Sequence, residues 1–251
     1  MSRHSNADLH KKSAFTLAEV LITLGIIGVV AALTISSTIT KIRNYQLREN
    51  YKVAYSILSQ AVKKAIAEDV GNFANTATDY KNDIGYVNSS SATKKIYAEM
   101  QVVGTCAYNK VYNFNKTSDR PRLDWGTAYP RSALANGMCF NVNVNGGKVN
   151  LTIDTNGLKS PNRLGYDIFL FELNSNDQVV PKKMTKLLSE EELQIYKDRD
   201  GGVEGLWYSQ IGQPCSYKSR QSANGIGCSW YALNNINPDD NSKKYWDSLP
   251  W

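Results

Sequence analysis

The chain has 251 residues, enough for one or two domains with a real core, and its 42% hydrophobic and 21% charged content excludes wholesale disorder. A mean hydropathy of −0.41 excludes a polytopic membrane protein while leaving room for one concentrated apolar segment. The formal charge of +6 is spread along the chain with no Lys/Arg block, so a nucleic-acid partner is not expected. His4 and His10 are the two histidines, and both precede an apolar run that begins at Phe15. Loss of the N-terminus would leave no imidazole, which removes Ser-His-Asp and Cys-His catalysis and any His-ligated zinc. No catalytic residue is assigned and no enzyme is expected.

A polar leader, residues 1–14 with Lys11 and Lys12 near its end, precedes the apolar run FTLAEVLITLGIIGVVAALTI at 15–35. At about 1.5 Å per residue the run spans roughly 31 Å, close to the hydrocarbon thickness of a bilayer, and predicts a membrane-spanning helix. A secretory signal peptide has a shorter apolar core that ends at a small-residue cleavage site. Here the small residues Ser13 and Ala14 come before the run. Glu19 is the one charge inside it. A carboxylate at that depth is costly and calls for a partner. Either Glu19 stays wet at the headgroup level, or a cation meets it. Cleavage after Ala14 would create such a cation in the α-amine of Phe15. Lys41, Arg43, Arg48 and Lys52 follow the run, so basic residues flank it on both sides and charge alone does not orient the helix.

The stretch Ala14-Phe15-Thr16-Leu17-Ala18-Glu19-Val20-Leu21-Ile22 resembles the cleavage and methylation signature of type IV pilins and type II secretion pseudopilins. Gly25, Gly28 and the Ala31-Ala32 pair fit the same pattern. The resemblance implies cleavage by a prepilin peptidase between Ala14 and Phe15, N-methylation of Phe15, and an assembly role for Glu19. It implies further partners in like or related pilin subunits and an inner-membrane assembly platform. The implied location is the bacterial cytoplasmic membrane, single-pass with the C-terminal domain outside, and then a pilus or pseudopilus. Two positions depart from the pattern. Ala14 stands where the family prefers Gly, and Ser36 where it often has Pro. Without proline the helix keeps its backbone hydrogen bond at that point. The alternative is a membrane-anchored extracytoplasmic binding or hydrolase domain whose anchor is never cleaved.

Past the membrane, residues 41–69 contain no Pro or Gly, and Leu47, Tyr51, Ala54, Leu58, Ala61 and Ala65 recur at steps of four and three. That spacing predicts an amphipathic continuation of the helix to about residue 70, with Gly71 as its stop and the stripe packed on the chain's own globular domain. Residues 71–251 form the expected β-rich extracytoplasmic domain. Residues 72–95 read as loop. Phe140–Val144 and Lys148–Ile153 alternate apolar and polar around Asn145-Gly146-Gly147, a hairpin signal, and Asp167–Phe171 reads as a third strand. Residues 184–198 suggest a short surface helix, and Ser229–Leu233 a late strand. The fold class is α+β: a long N-terminal helix, membrane-spanning in its first half and amphipathic in its second, packed on a mainly antiparallel, pilin-like sheet.

Cys106, Cys139, Cys215 and Cys228 lack the CxxC spacing of a zinc site, and outside the cytoplasm disulfides are the better reading. Three connectivities are possible; 106–139 with 215–228 is preferred because the second pair closes a Gly/Ser-rich segment with few apolar anchors. Asp154, Asn156 and Asp167 offer hard oxygen ligands to Ca²⁺, as some pseudopilin loops do by resemblance, but the full EF-hand pattern is absent. An ordinary Asx turn and Gly turn between strands is the favoured reading of that segment, and no cofactor is required.

Overall fold

A computed structural model describes residues 15–67, 91–118, 129–145, 148–199 and 211–249. The 51-residue helix α1 (Leu17–Ala67) carries both halves of the N-terminal pattern without interruption. It passes through Ser36 as helix, as the absence of proline there predicts. The chain divides into two compact units, residues 1–43 and 44–251.

In the first unit the apolar side chains have no protein to pack on. Leu21, Ile22, Leu24, Ile27, Val29 and Leu33 are each at least 60% exposed. The helix is long and apolar enough to cross a membrane. Four of its hydroxyls are satisfied within the helix. Thr23 donates to the Val20 carbonyl, Thr34 to Val30, and Ser37 and Thr38 to Thr34, so these four hydroxyls need no water.

In the second unit the lower half of α1 meets a sheet. Strands β1 (Val102–Thr105), β2 (Ser132–Leu134), β3 (Cys139–Asn145), β4 (Lys148–Asp154), β5 (Ile168–Leu173) and β6 (Val179–Pro181) pair antiparallel in chain order. The period of two decides the faces. Phe140, Val142, Leu151, Ile153, Phe169 and Phe171 enter one core with Leu47, Tyr51, Ala54, Leu58, Ala61 and Ala65 of α1. Ile168 and Leu170 point to the other face, where Val111, Leu164, Ala223 and Ile226 cover them. Tyr51 holds the centre of the main core. Its ring lies 4.5 Å edge-on from Phe169 and 5.8 Å from Trp246, and its hydroxyl donates to the Ser229 carbonyl at 2.6 Å.

Three helices complete the unit: α2 (Ser91–Glu99), α3 (Glu190–Arg199) and α4 (Cys228–Asn234). α4 corrects the expected late strand at Ser229–Leu233. Its buried residues Cys228, Ser229, Tyr231 and Ala232 follow helical rather than alternating spacing, and Asn235 ends the turn in the left-handed conformation. The Ser229 hydroxyl accepts from the Leu170 amide, tying α4 to β5. α2 likewise replaces the end of the expected loop at 72–95, while the rest of that loop, the helix stop at Gly71 and the turn residues Gly146 and Gly147 lie outside the described residues. α3 begins six residues later than the helix read at 184–198 because Ser189 caps it: the Ser189 amide donates to Glu192 Oε2 and the Glu192 amide to Ser189 Oγ.

Removing the Tyr51 hydroxyl and its ring should have separable costs. Tyr51→Phe leaves the Ser229 carbonyl without its buried donor and should lower unfolding free energy by about 1–2 kcal/mol. Tyr51→Ala also opens a cavity, and about 3–5 kcal/mol is expected. Thermal denaturation of the detergent-solubilised chain checks the order.

Candidate functional site

The start of α1 is built by a reciprocal hydrogen-bond pair. The Thr16 amide and the Thr16 hydroxyl both donate to Glu19 Oε2, each at 2.8 Å, and the Glu19 amide donates to Thr16 Oγ1 at 3.3 Å. This is a capping box: a Thr at the helix boundary and a Glu three residues later satisfy two backbone donors that the first turn leaves without partners. Glu19 therefore has a local partner in addition to whatever cation meets it. The Thr-x-x-Glu spacing carried that information and went unread in the sequence, because the apolar run drew attention to the cost of the carboxylate rather than to its position in the first turn. Phe15 is 85% exposed beside this box. Ala14 lies outside the described residues.

The four cysteines form two disulfides, Cys106–Cys139 and Cys215–Cys228, and no described cysteine is free. The first ties the residue after β1 to the start of β3. The second closes a loop of separation 13 whose polar interior is organised by Asn224, the Asn224 amide group donating to the Ser216 carbonyl and its side-chain oxygen accepting from the Ser216 amide. By the chain-entropy account a crosslink of that separation contributes about 3 kcal/mol through the unfolded state.

Asp154, at the end of β4, and Asp167, just before β5, are both fully buried and lie close enough to influence one another. Each of their four oxygens accepts a hydrogen bond. Asp154 Oδ1 accepts from the Asn156 amide and Oδ2 from the Tyr108 hydroxyl; Asp167 Oδ2 accepts from the Asn162 amide and Oδ1 from the Arg163 amide. The Asp154-to-Asn156 bond is an Asx turn, and Gly157 follows at φ +68 with the Gly137 carbonyl 2.2 Å from where a Cβ would stand. Asn156 belongs to this turn, and its side-chain oxygen, like Thr155 Oγ1 and Asn162 Oδ1, is buried without a hydrogen-bond partner among the described residues. No cluster of three or more His, Cys, Asp or Glu suited to a metal occurs among the described residues. The geometry is that of a turn braced by two carboxylates. Tyr108 and Arg163 were not singled out by sequence reasoning; Tyr108 reaches the pair through tertiary placement, whereas Arg163 meets Asp167 locally through its backbone amide.

Two buried carboxylates repel and lack water, so they resist double ionisation. Burial, with Asp167 beside it, pushes the Asp154 carboxyl well above the usual carboxylate range. Burial also pushes Asp167 up to about 7, against the pull of the Arg163 and Asn162 amides. A carboxyl whose folded pKa is raised contributes stability below its unfolded pKa and loses it as pH rises through the folded value. The melting temperature should therefore fall by on the order of 5–10 °C between pH 4 and pH 8, and Asp154→Asn should flatten that slope. Millimolar Ca²⁺ at pH 8 should not restore the loss if a proton is what the pair shares; a restoration to the acid value would instead show a cation held by Asp154, Asn156 and Asp167.

Residues 9–35 match the family model of the prokaryotic N-terminal methylation motif. No curated protein matches the chain, and no solved structure does. The matched segment takes in the residues before α1, the Thr16–Glu19 capping box and the apolar half of the helix, so the chain carries the prepilin-type signature at the start of an α+β fold.

Proposed function

We propose that this chain is a prepilin-type subunit, cut by a prepilin peptidase between Ala14 and Phe15, methylated at Phe15, and assembled through α1 with like or related subunits into a type IV pilus or type II secretion pseudopilus. The observation that carries the reading is the coincidence, within residues 9–35, of the methylation motif with one carboxylate in the first turn of an exposed apolar helix. Before assembly that helix resides in the cytoplasmic membrane, with residues 44–251 on the outer side. An assembly platform in that membrane would then exchange its lipid contacts for helix–helix packing, where small residues such as Gly25, Gly28, Ala31 and Ala32 permit close approach. The work is mechanical or adhesive, and the chain catalyses no reaction.

Glu19 has two jobs in this scheme. It caps its own helix through Thr16, and its charge meets the α-amine of Phe15 at the subunit junction. The two separate by substitution. Glu19→Gln keeps a capping-box side chain but loses the charge, whereas Glu19→Ala loses both. Membrane insertion should survive in both variants, since a costly carboxylate is removed. Filament recovery or secretion, measured against the membrane pool, should be intermediate for Glu19→Gln and abolished or strongly slowed for Glu19→Ala. Equal assembly of all three chains would contradict the junction role and favour an uncleaved anchor.

A further inference from the structure

The two edges of the sheet are built differently. At the β6 edge the Tyr55 hydroxyl donates to the Val179 carbonyl at 3.3 Å, and Pro181 has no N–H to offer. Just past that strand the Trp230 amide of α4 donates to the Lys182 carbonyl at 2.9 Å. Such devices close an edge to a further strand. The β1 edge lacks them. Among the described residues β1 pairs with β2 alone, and all four of its residues are exposed, Val103 at 69%. A Cβ added at Gly104 would meet Ala133 Cβ at 3.9 Å and nothing nearer. No charged residue lies between Glu99 and Lys110 to repel an incoming strand. The irregularity between Val102 and Gly104, and the shortness of β1, restrict pairing there to one short segment.

A groove of about 230 Å³ adjoins this edge. Ile57 and Ala61 of α1, Met100 just after α2 and Leu134 of β2 give it an apolar lining, and Gln101, the residue before β1, lines it too. Directly paired residues share a face, so Val102 stands beside Leu134 on the groove side of the sheet. An engineered apolar cavity of about 150 Å³ holds benzene, so this groove has room for one large aliphatic or aromatic side chain. Lys64 and Glu99 also line it and pair with each other at 3.8 Å, which leaves it without net charge.

We propose that β1 and this groove together receive an extended, uncharged peptide segment of another protein. Its backbone adds a strand outside β1, and one large apolar side chain on its groove-facing side fills the cavity. The chemistry of the occupant follows from the groups on offer. A row of unpaired backbone N–H and C=O groups is matched by extended backbone, and a neutral apolar cavity beside it selects the side chain. A second copy of this chain cannot supply its own β6 edge, because that edge is closed. The surface lies within residues 44–251 and does not depend on cleavage before Phe15, so it goes beyond the prepilin reading and can fail without it.

The test presents the detergent-solubilised full chain to a phage library of short random peptides that lack Lys, Arg, Asp, Glu and Pro. Enriched sequences should carry Leu, Met or Phe at one fixed position. The synthesised peptide should slow amide exchange over residues 101–105 and leave 179–181 unchanged. N-methylation of every second peptide residue should weaken binding roughly ten-fold in the set whose N–H groups face β1, and little in the other set. Ala135→Trp, at an exposed turn position lining the groove, should also weaken binding roughly ten-fold while leaving the melting temperature unchanged. Equal effects from the two methylated sets, unchanged affinity in Ala135→Trp, or no enrichment at all overturns the proposal. A dimer of the chain that the peptide dissociates would give the edge to a second copy, which overturns it as well.

Discussion

One helix has to serve two solvents. α1 is a single run of 51 residues, and no residue within it breaks the hydrogen-bond ladder, so the same backbone must be compatible with hydrocarbon in its first half and with a protein core in its second. The side chains divide the work. From Val20 to Ile35 the helix carries no charge, and its large apolar side chains are exposed and pack on nothing in their own unit; from Leu47 onward an apolar stripe is buried. Every other feature of the chain answers to one of these two environments.

Polar side chains within the apolar half, at Glu19, Thr23, Thr34, Ser37 and Thr38, are tolerated because each of these has a partner within about one helical turn. Thr and Ser hydroxyls return to carbonyls, and Glu19 returns to Thr16. The same capping chemistry recurs at Ser189 and Glu192 in the second unit, where Lys186 also bonds Glu192. There the box only starts a surface helix. At Thr16 it starts a helix that nothing in its own unit covers, and it fixes a carboxylate at the point where processing would create an amine. A common local device acquires a particular use from the residues around it.

Much of this was legible in the sequence, for physical reasons that also explain what was not. The α1 stripe and the β3 and β4 strands repeat long enough for periods of 3.6 and 2 to separate, while β5 is a short apolar run because both of its faces are covered. β1, β2 and β6 are three or four residues long, and β1 is exposed throughout, so no alternation marks them. α4 misled because Trp230 and Tyr231 favour strands, whereas burial of Cys228, Ser229, Tyr231 and Ala232 demands a helix; tertiary packing overrode propensity. Around Asp154 the turn was readable from Asp-x-Asn-Gly. The nearness of Asp154 and Asp167 was readable too, since one turn-rich segment holds both; the contact with the distant Tyr108 was not, because it depends on a loop from elsewhere in the chain.

The proposed role stands or falls at the bond before Phe15. Intact-mass and N-terminal peptide measurement of the protein from its native host tests it most directly. The account predicts a mature chain that begins at Phe15, lacks both histidines and carries one added methyl group on its α-amine. A chain that retains Met1, or one cut beyond residue 30 in the manner of a secretory signal peptide, would contradict it.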